Sequence, residues 1–211
     1  LEQWQIIIIF LSIGSMLLGA VAAIGQNNIK RLMAYSSIGH MGYILAGIST
    51  GTISGVQSSL LYLTIYLIMN LGMFGFIFMM KRENVYYENI NDLSGLSKNS
   101  PLLALGFLII LFSLAGIPPL AGFFAKFYVF MSVIESEMYF LAVIGLITSV
   151  ISSFYYLRII KIMYFDKVAK PFDEDNNFNI KIPVIISTLI ILIYFIYPSS
   201  LIDLVDLIKI N

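Results

Sequence analysis

The amino-acid sequence predicts an all-α, polytopic membrane bundle, and three observations carry that prediction. Hydrophobic residues make up 59% of the chain and charged residues only 11%, where a soluble domain carries about 25% charged residues. Mean hydropathy is +0.92. Six apolar stretches, near 5–25, 32–50, 55–80, 101–133, 139–157 and 182–197, approach or exceed the roughly 20 residues that a helix needs to cross a bilayer.

The connectors agree with this count. Ten of the twelve basic residues (Lys30, Arg31, Lys81, Arg82, Lys98, Arg158, Lys161, Lys167, Lys170 and Lys181) follow the first, third and fifth stretches. Six alternating spans therefore put all ten on one side, which basic-residue bias assigns to the cytoplasm. Lys209 falls on the other side with Glu2, Glu135, Glu137, Asp203 and Asp206, and both termini lie there. The longest polar connector runs near 161–181, with acidic residues at its centre. Leu1 stands first in place of Met, and no basic residue precedes the first apolar run. The run does not read as a signal peptide, and the chain reads as a fragment or truncated form.

The first span carries Ser15, Gly19 and Ala23, a small-xxx-small row that lets helices approach closely. The second carries Ser36, His40 and Tyr43 at i, i+4 and i+7, on one helical face. An imidazole exchanges protons near neutral pH, so His40 is a candidate proton relay; the competing reading is a hydrogen-bonded structural histidine. The third span carries Tyr62, Tyr66 and Asn70 at i, i+4 and i+8. That face either orders water or joins helices by hydrogen bonds. The fifth has Ser149, Ser153 and Tyr156 on one face with Thr148 and Ser152 beside it, which reads as ordinary membrane polarity.

The fourth stretch is the most informative. It is longer than one span, and Pro118 and Pro119 sit in its middle. Two prolines remove two backbone donors and free the carbonyls one turn earlier, at Leu114 and Ala115. Open backbone at membrane depth is tolerated only inside protein or beside a water-filled cavity. Pro119 suits the first position of a second half-helix. Lys126 follows it by seven residues, and an ammonium in hydrocarbon costs at least ~2.5 kcal/mol. A lysine beside a broken helix points to an ion path; the alternative is a side chain that snorkels to the interface.

Formal net charge is zero, with no cysteine and one histidine. This implies no nucleic-acid partner and no soluble ligand, and it excludes disulfides, zinc–thiolate sites and iron–sulfur ligation on this chain. No phosphate-binding loop, GxGxxG or HExxH motif occurs. The chain itself carries no redox or nucleotide chemistry and no cofactor.

The segment Asn28-Ile29-Lys30-Arg31-Leu32-Met33-Ala34-Tyr35-Ser36-Ser37-Ile38-Gly39-His40-Met41-Gly42-Tyr43 resembles the antiporter-like membrane subunits of proton-pumping NADH:quinone oxidoreductase, complex I. So do Tyr66-Leu67-Ile68-Met69-Asn70-Leu71-Gly72, Asp92-Leu93-Ser94-Gly95-Leu96 and the run from Ser113 to Tyr128. Lys126 and Tyr66 together match the N-type members: the M-type usually has glutamate at the first position, and the L-type histidine at the second. Ala125 departs from the commoner glycine.

The resemblance implies two inverted five-helix repeats within fourteen helices. Residues 1–165 are then the second repeat, 166–181 a cytoplasmic loop, and 182–211 the last transmembrane helix with a short tail. It implies a multi-pass protein of the bacterial inner (plasma) membrane, in contact with lipid and with other membrane subunits of complex I. The NAD and quinone used by the complex are handled elsewhere, and the chain acts as a subunit of a proton translocase. Lys126 matches the lysine of the broken helix that links the central axis to the outer side. His40 matches a polar position facing the central water chain. Ser36, Tyr43, Tyr66 and Asn70 are expected to line that path. Two relatives share the pattern: multi-subunit cation/proton antiporters and membrane-bound hydrogenases.

Overall fold

The computed structural model describes residues 3–83, 85–173 and 178–197, with backbone alone at 178–180 and 195. Glu2, the acidic centre at 174–177, and the tail holding Asp203, Asp206 and Lys209 lie outside the described residues. The chain forms α1 (Gln3–Ile24), α2 (Ile29–Ser49), α3 (Ile53–Phe78), β1 (Lys81–Arg82), β2 (Val85–Tyr86), a 3-10 turn (Ile90–Leu93), α4 (Leu96–Asn99), α5 (Pro101–Ala115), α6 (Ala121–Glu135), α7 (Tyr139–Phe165) and α8 (Phe178–Ile196).

It is an all-α membrane bundle with several long apolar helices. Among the described residues, α1, α3 and α7 are both long and apolar enough to cross a bilayer. α2 is 21 residues long, but Lys30, Arg31, His40 and its serines dilute its apolar character. α5 and α6 have 15 residues each, about 22 Å apiece.

Local chemistry sets the ends of these helices. Asn28 caps α2 by accepting from the Arg31 amide, and Thr52 caps α3 by accepting from Gly55. Pro101 opens α5, and Gly116 closes it in the left-handed region at φ 82°. There its amide bonds Ser113 O, and the Ile117 amide bonds Phe112 O, the usual glycine C-terminal device. α6 begins at Ala121, two residues later than expected from Pro119, with Leu120 as its N-cap.

The bundle is apolar outside, and its interior combines large apolar side chains such as Met16, Leu32, Phe76 and Phe107 with small and polar ones. α1 turns Ile6, Ile7, Phe10, Leu17, Leu18 and Val21 outward and packs its narrow side along α2. A Cβ on Gly19 would fall on the Gly39 backbone, so only glycine permits this approach. Ala23 shares that buried side, but Ser15 is only half-buried. Ser12, one turn earlier, is buried on that side in its place and donates to Gly42 O at 2.7 Å. α3 lies between α2, α6 and α8. Its Phe76 stacks on Phe107 of α5, with centroids 3.6 Å apart.

α7 continues two turns beyond the span expected at 157, because Ile159, Ile160, Ile162 and Met163 remain buried. Arg158 and Lys161 are therefore helical. Arg158 bonds Ile24 O at 3.2 Å and Asn27 Oδ1 at 2.7 Å, neutralising the carbonyl end of α1. α8 starts four residues earlier than expected.

The 81–100 connector is built, not loose. β1 and β2 pair antiparallel, and Asn28 bridges Asn89. Arg82 lies between the rings of Tyr87 and Phe172, 4.7 Å from each centroid, and bonds Asp92 O at 3.0 Å. Gly95 bonds Ile162 O, and Ala169 bonds Ser94 O. These ties bring Lys30, Lys81, Arg82 and Arg158 to one end of the bundle.

Candidate functional site

Lys126 is the sixth residue of α6, and its side chain is 5% exposed. It does not snorkel. The side chain turns back across the break and passes over Gly116, where a Cβ would lie 2.9 Å from its Cδ and 3.1 Å from its Nζ. Nζ donates to Ala115 O at 3.0 Å and to Ser149 Oγ of α7 at 2.9 Å. Ala115 O is one of the two carbonyls that the prolines free. The ammonium thus meets the carbonyl end of α5, which carries partial negative charge. Nζ also lies 5.3 Å from the Tyr43 ring centroid, within cation–π range. Among the described residues no carboxylate pairs with Lys126. Ser113 completes the break, because its Oγ accepts from the Gly122 amide at 3.0 Å and serves the free N-terminus of α6.

His40 lies on the other side of Tyr43, with the two rings edge-on and centroids 6.3 Å apart. It is buried, with tyrosine hydroxyls on both ring nitrogens. Nδ1 is 2.7 Å from Tyr62 Oη of α3, and Nε2 is 3.0 Å from Tyr156 Oη of α7. Tyr156 Oη also bonds Ser36 Oγ. A neutral imidazole donates from one nitrogen and accepts at the other. One tyrosine therefore donates to His40 while the other accepts, and exchanging the tautomer reverses both. Ser36, Tyr156, His40 and Tyr62 make an unbroken hydrogen-bonded chain across α2, α7 and α3. Tyr66 stacks on the imidazole at 4.6 Å between centroids. Tyr43 Oη lies 3.3 Å from Thr148 Oγ1, one residue before the Ser149 that holds Lys126.

The expected residues Lys126, His40, Ser36, Tyr43 and Tyr66 therefore gather around one buried polar seam, and Pro118 and Pro119 lie at the break beside it. Asn70 does not join: it is half-buried and takes part in none of these bonds. The polarity of α7 is less ordinary than it reads in sequence. Ser149 and Tyr156 touch Lys126 and His40, while Ser153 is half-buried and bonds Val150 O on its own helix. Tyr62, read as one of three polar residues on α3, is a direct partner of His40. The i, i+4 and i+7 spacing on α7 marked this face; its partners were not legible. Among the described residues no group of three metal-ligating side chains forms.

Residues 1–152 match the family described as "NADH:quinone oxidoreductase/Mrp antiporter, TM". The chain belongs to this family. The NADH-quinone oxidoreductase subunit N of Pelagibacter ubique is 62% identical over 210 residues, covering 100% of this chain and 45% of that protein. A chain of respiratory complex I from Thermus thermophilus with bound aureothin superposes with a TM-score of 0.81 at 28% identity, over 93% of this chain and 44% of that one. A chain of the Mrp complex of Dietzia sp. DQ12-45-1b superposes at 0.85 and 20% identity, over 96% and 46%, which is likeness of fold alone. The chain spans less than half the length of the curated relatives it matches.

Proposed function

We propose that this chain is the C-terminal, proton-carrying part of a membrane subunit of proton-translocating NADH:quinone oxidoreductase. Electrons pass from NADH to quinone on other subunits, and this chain moves protons in response. The observation that carries the reading is Lys126: a buried lysine, without a carboxylate partner among the described residues, held by the open carbonyl of a broken helix and one serine. The name of the Pelagibacter relative supports the choice of complex over an antiporter, for which sodium-coupled exchange without NADH is the expected behaviour.

In this reading the chain has six spans, with α5 and α6 forming one broken span at Pro118-Pro119. Residues 1–165 form one repeat, 166–181 a connector, and 182–211 the last span and tail. The basic end faces the cytoplasm of a bacterial inner membrane, and neighbouring membrane subunits and lipid cover the apolar outer faces. Lys126 is the terminal proton carrier, and His40 is an intermediate. Ser36 and Tyr43 line the path, and Tyr66, without Asn70, forms a face that orders water.

The test restores the full-length subunit in the assembled complex and replaces Lys126→Ala. Protons pumped per electron should fall while the complex still assembles. Pumping and NADH:quinone turnover that both stay at wild-type levels would overturn the reading.

A further inference from the structure

At the end of the bundle opposite the basic cluster, Ser58 of α3 faces Ser132 of α6, with hydroxyl oxygens 3.1 Å apart. Ser58 is 7% exposed and Ser132 3%. Among the described residues this is the side-chain hydrogen bond that joins α3 to α6. Its position is informative in both directions. Ser132 lies six residues beyond Lys126 on the same helix, about 9 Å further along the axis. Ser58 lies one turn before Tyr62, the partner of His40 Nδ1, on the same face. Beyond the pair, the Thr50 and Thr52 hydroxyls meet at 2.9 Å, and Thr52 meets the exposed Ser54 at 3.1 Å.

We infer that the Ser58–Ser132 pair is the outward leg of the proton path, connecting the Lys126 seam to the turn between α2 and α3. This rests on the function proposed above. Each hydroxyl has one proton and a second partner on its own helix: Ser58 reaches Gly55 O and Ser132 reaches Val129 O, both at 2.9 Å. While one hydroxyl donates across the helices, the other donates to its own carbonyl. Rotation about Cβ–Oγ exchanges the two arrangements. A proton leaving Lys126 must cover those nearly two turns on water that enters beside Val129, which is wholly buried in this structure. Ser132 Oγ takes that proton as it passes its own to Ser58 Oγ. Ser58 then passes its own proton to water at the α2–α3 turn. No hydroxyl stores charge, and both reset by rotation.

Ser58→Ala/Ser132→Ala tests this in the assembled complex with the full-length subunit, with Lys126→Ala alongside. Removing both partners of a buried hydrogen bond leaves no polar orphan and is nearly neutral for stability. Each single alanine variant also leaves the other hydroxyl its own carbonyl, so the singles serve if the double variant assembles poorly. The expected result is wild-type assembly, with protons per electron reduced to the level of Lys126→Ala. Ser132→Thr, which keeps a hydroxyl, should retain the wild-type ratio. A wild-type ratio in the alanine variants, while Lys126→Ala lowers it, means that the pair only joins two helices and overturns the inference. An unchanged ratio in Lys126→Ala overturns the function reading itself, whatever the serines do.

Discussion

Replacing Gly116→Ala strikes the point where the helix break and the lysine meet, and its cost divides into two parts with separate causes. Gly116 sits at φ 82°, a left-handed conformation that costs an L-residue with a Cβ roughly 1–2 kcal/mol. The new Cβ would also lie 2.9 Å from Lys126 Cδ, 3.1 Å from Nζ and 3.3 Å from Cε. The lysine stem must shift, and Nζ loses its 3.0 Å bond to Ala115 O. Overpacking of this kind costs about 1–3 kcal/mol. The two parts together predict a loss of about 3 kcal/mol.

In a Lys126→Ala background the second part disappears, because no stem lies over residue 116. Only the backbone strain of about 1–2 kcal/mol remains. The coupling between the two substitutions should therefore be about 1–2 kcal/mol, within the range for residues in contact. Unfolding of the four chains in detergent micelles by SDS titration, followed by helical ellipticity, measures it. An equal cost for Gly116→Ala in both backgrounds refutes the packing of Lys126 across the break.

Two further outcomes follow from the same geometry. Tyr156→Phe removes the hydroxyl shared by His40 Nε2 and Ser36 Oγ; it should lower stability by about 1 kcal/mol, and Ser36→Ala should cost less on top of it than alone, both read from the same SDS titration. Additive costs would separate Ser36 from Tyr156. At the basic end, the ammonium of Lys30 at 2.6 Å and the amide of Asn28 at 2.7 Å hold the partly exposed Glu88 carboxyl below the usual 4.5. A depressed carboxyl contributes stability above its ordinary pKa and loses it as pH falls through the lower folded value. Amide protection factors around residues 86–90, taken relative to the intrinsic exchange rate at each pH, should therefore fall below about pH 4.5, and Glu88→Gln should remove that fall. Above that pH, high salt should weaken the tie, because solvent-accessible pairs are screened.

Much of the site was legible in the chain before folding. Two adjacent prolines announce open carbonyls at Leu114 and Ala115, and a lysine seven residues later is charge placed where hydrocarbon penalises it. Spacing alone set Ser36, His40 and Tyr43 on one face, and Tyr62 and Tyr66 on another. These are local facts, governed by helix pitch and by the lack of an amide hydrogen on proline, and they need no knowledge of what lies opposite.

What lay beyond reach is pairing. Periodicity says which residues share a face but not which face meets it. His40 bonds Tyr156 across a sequence separation of 116, and Ser36 meets Tyr156 across 120. α7 accordingly read as ordinary polarity until it lay against α2. Asn70 has the spacing of its neighbours, yet the packing of α3 turns it away from the seam. The sequence by itself determined the apolar helices, the break and the presence of a buried lysine, because those follow from local composition and backbone chemistry. Only the tertiary structure decided that Lys126 takes Ala115 O and Ser149, and that His40 sits between two tyrosines. Those contacts depend on close approach between helices far apart in the chain, which small residues such as Gly19 and Gly116 permit and which no local pattern encodes.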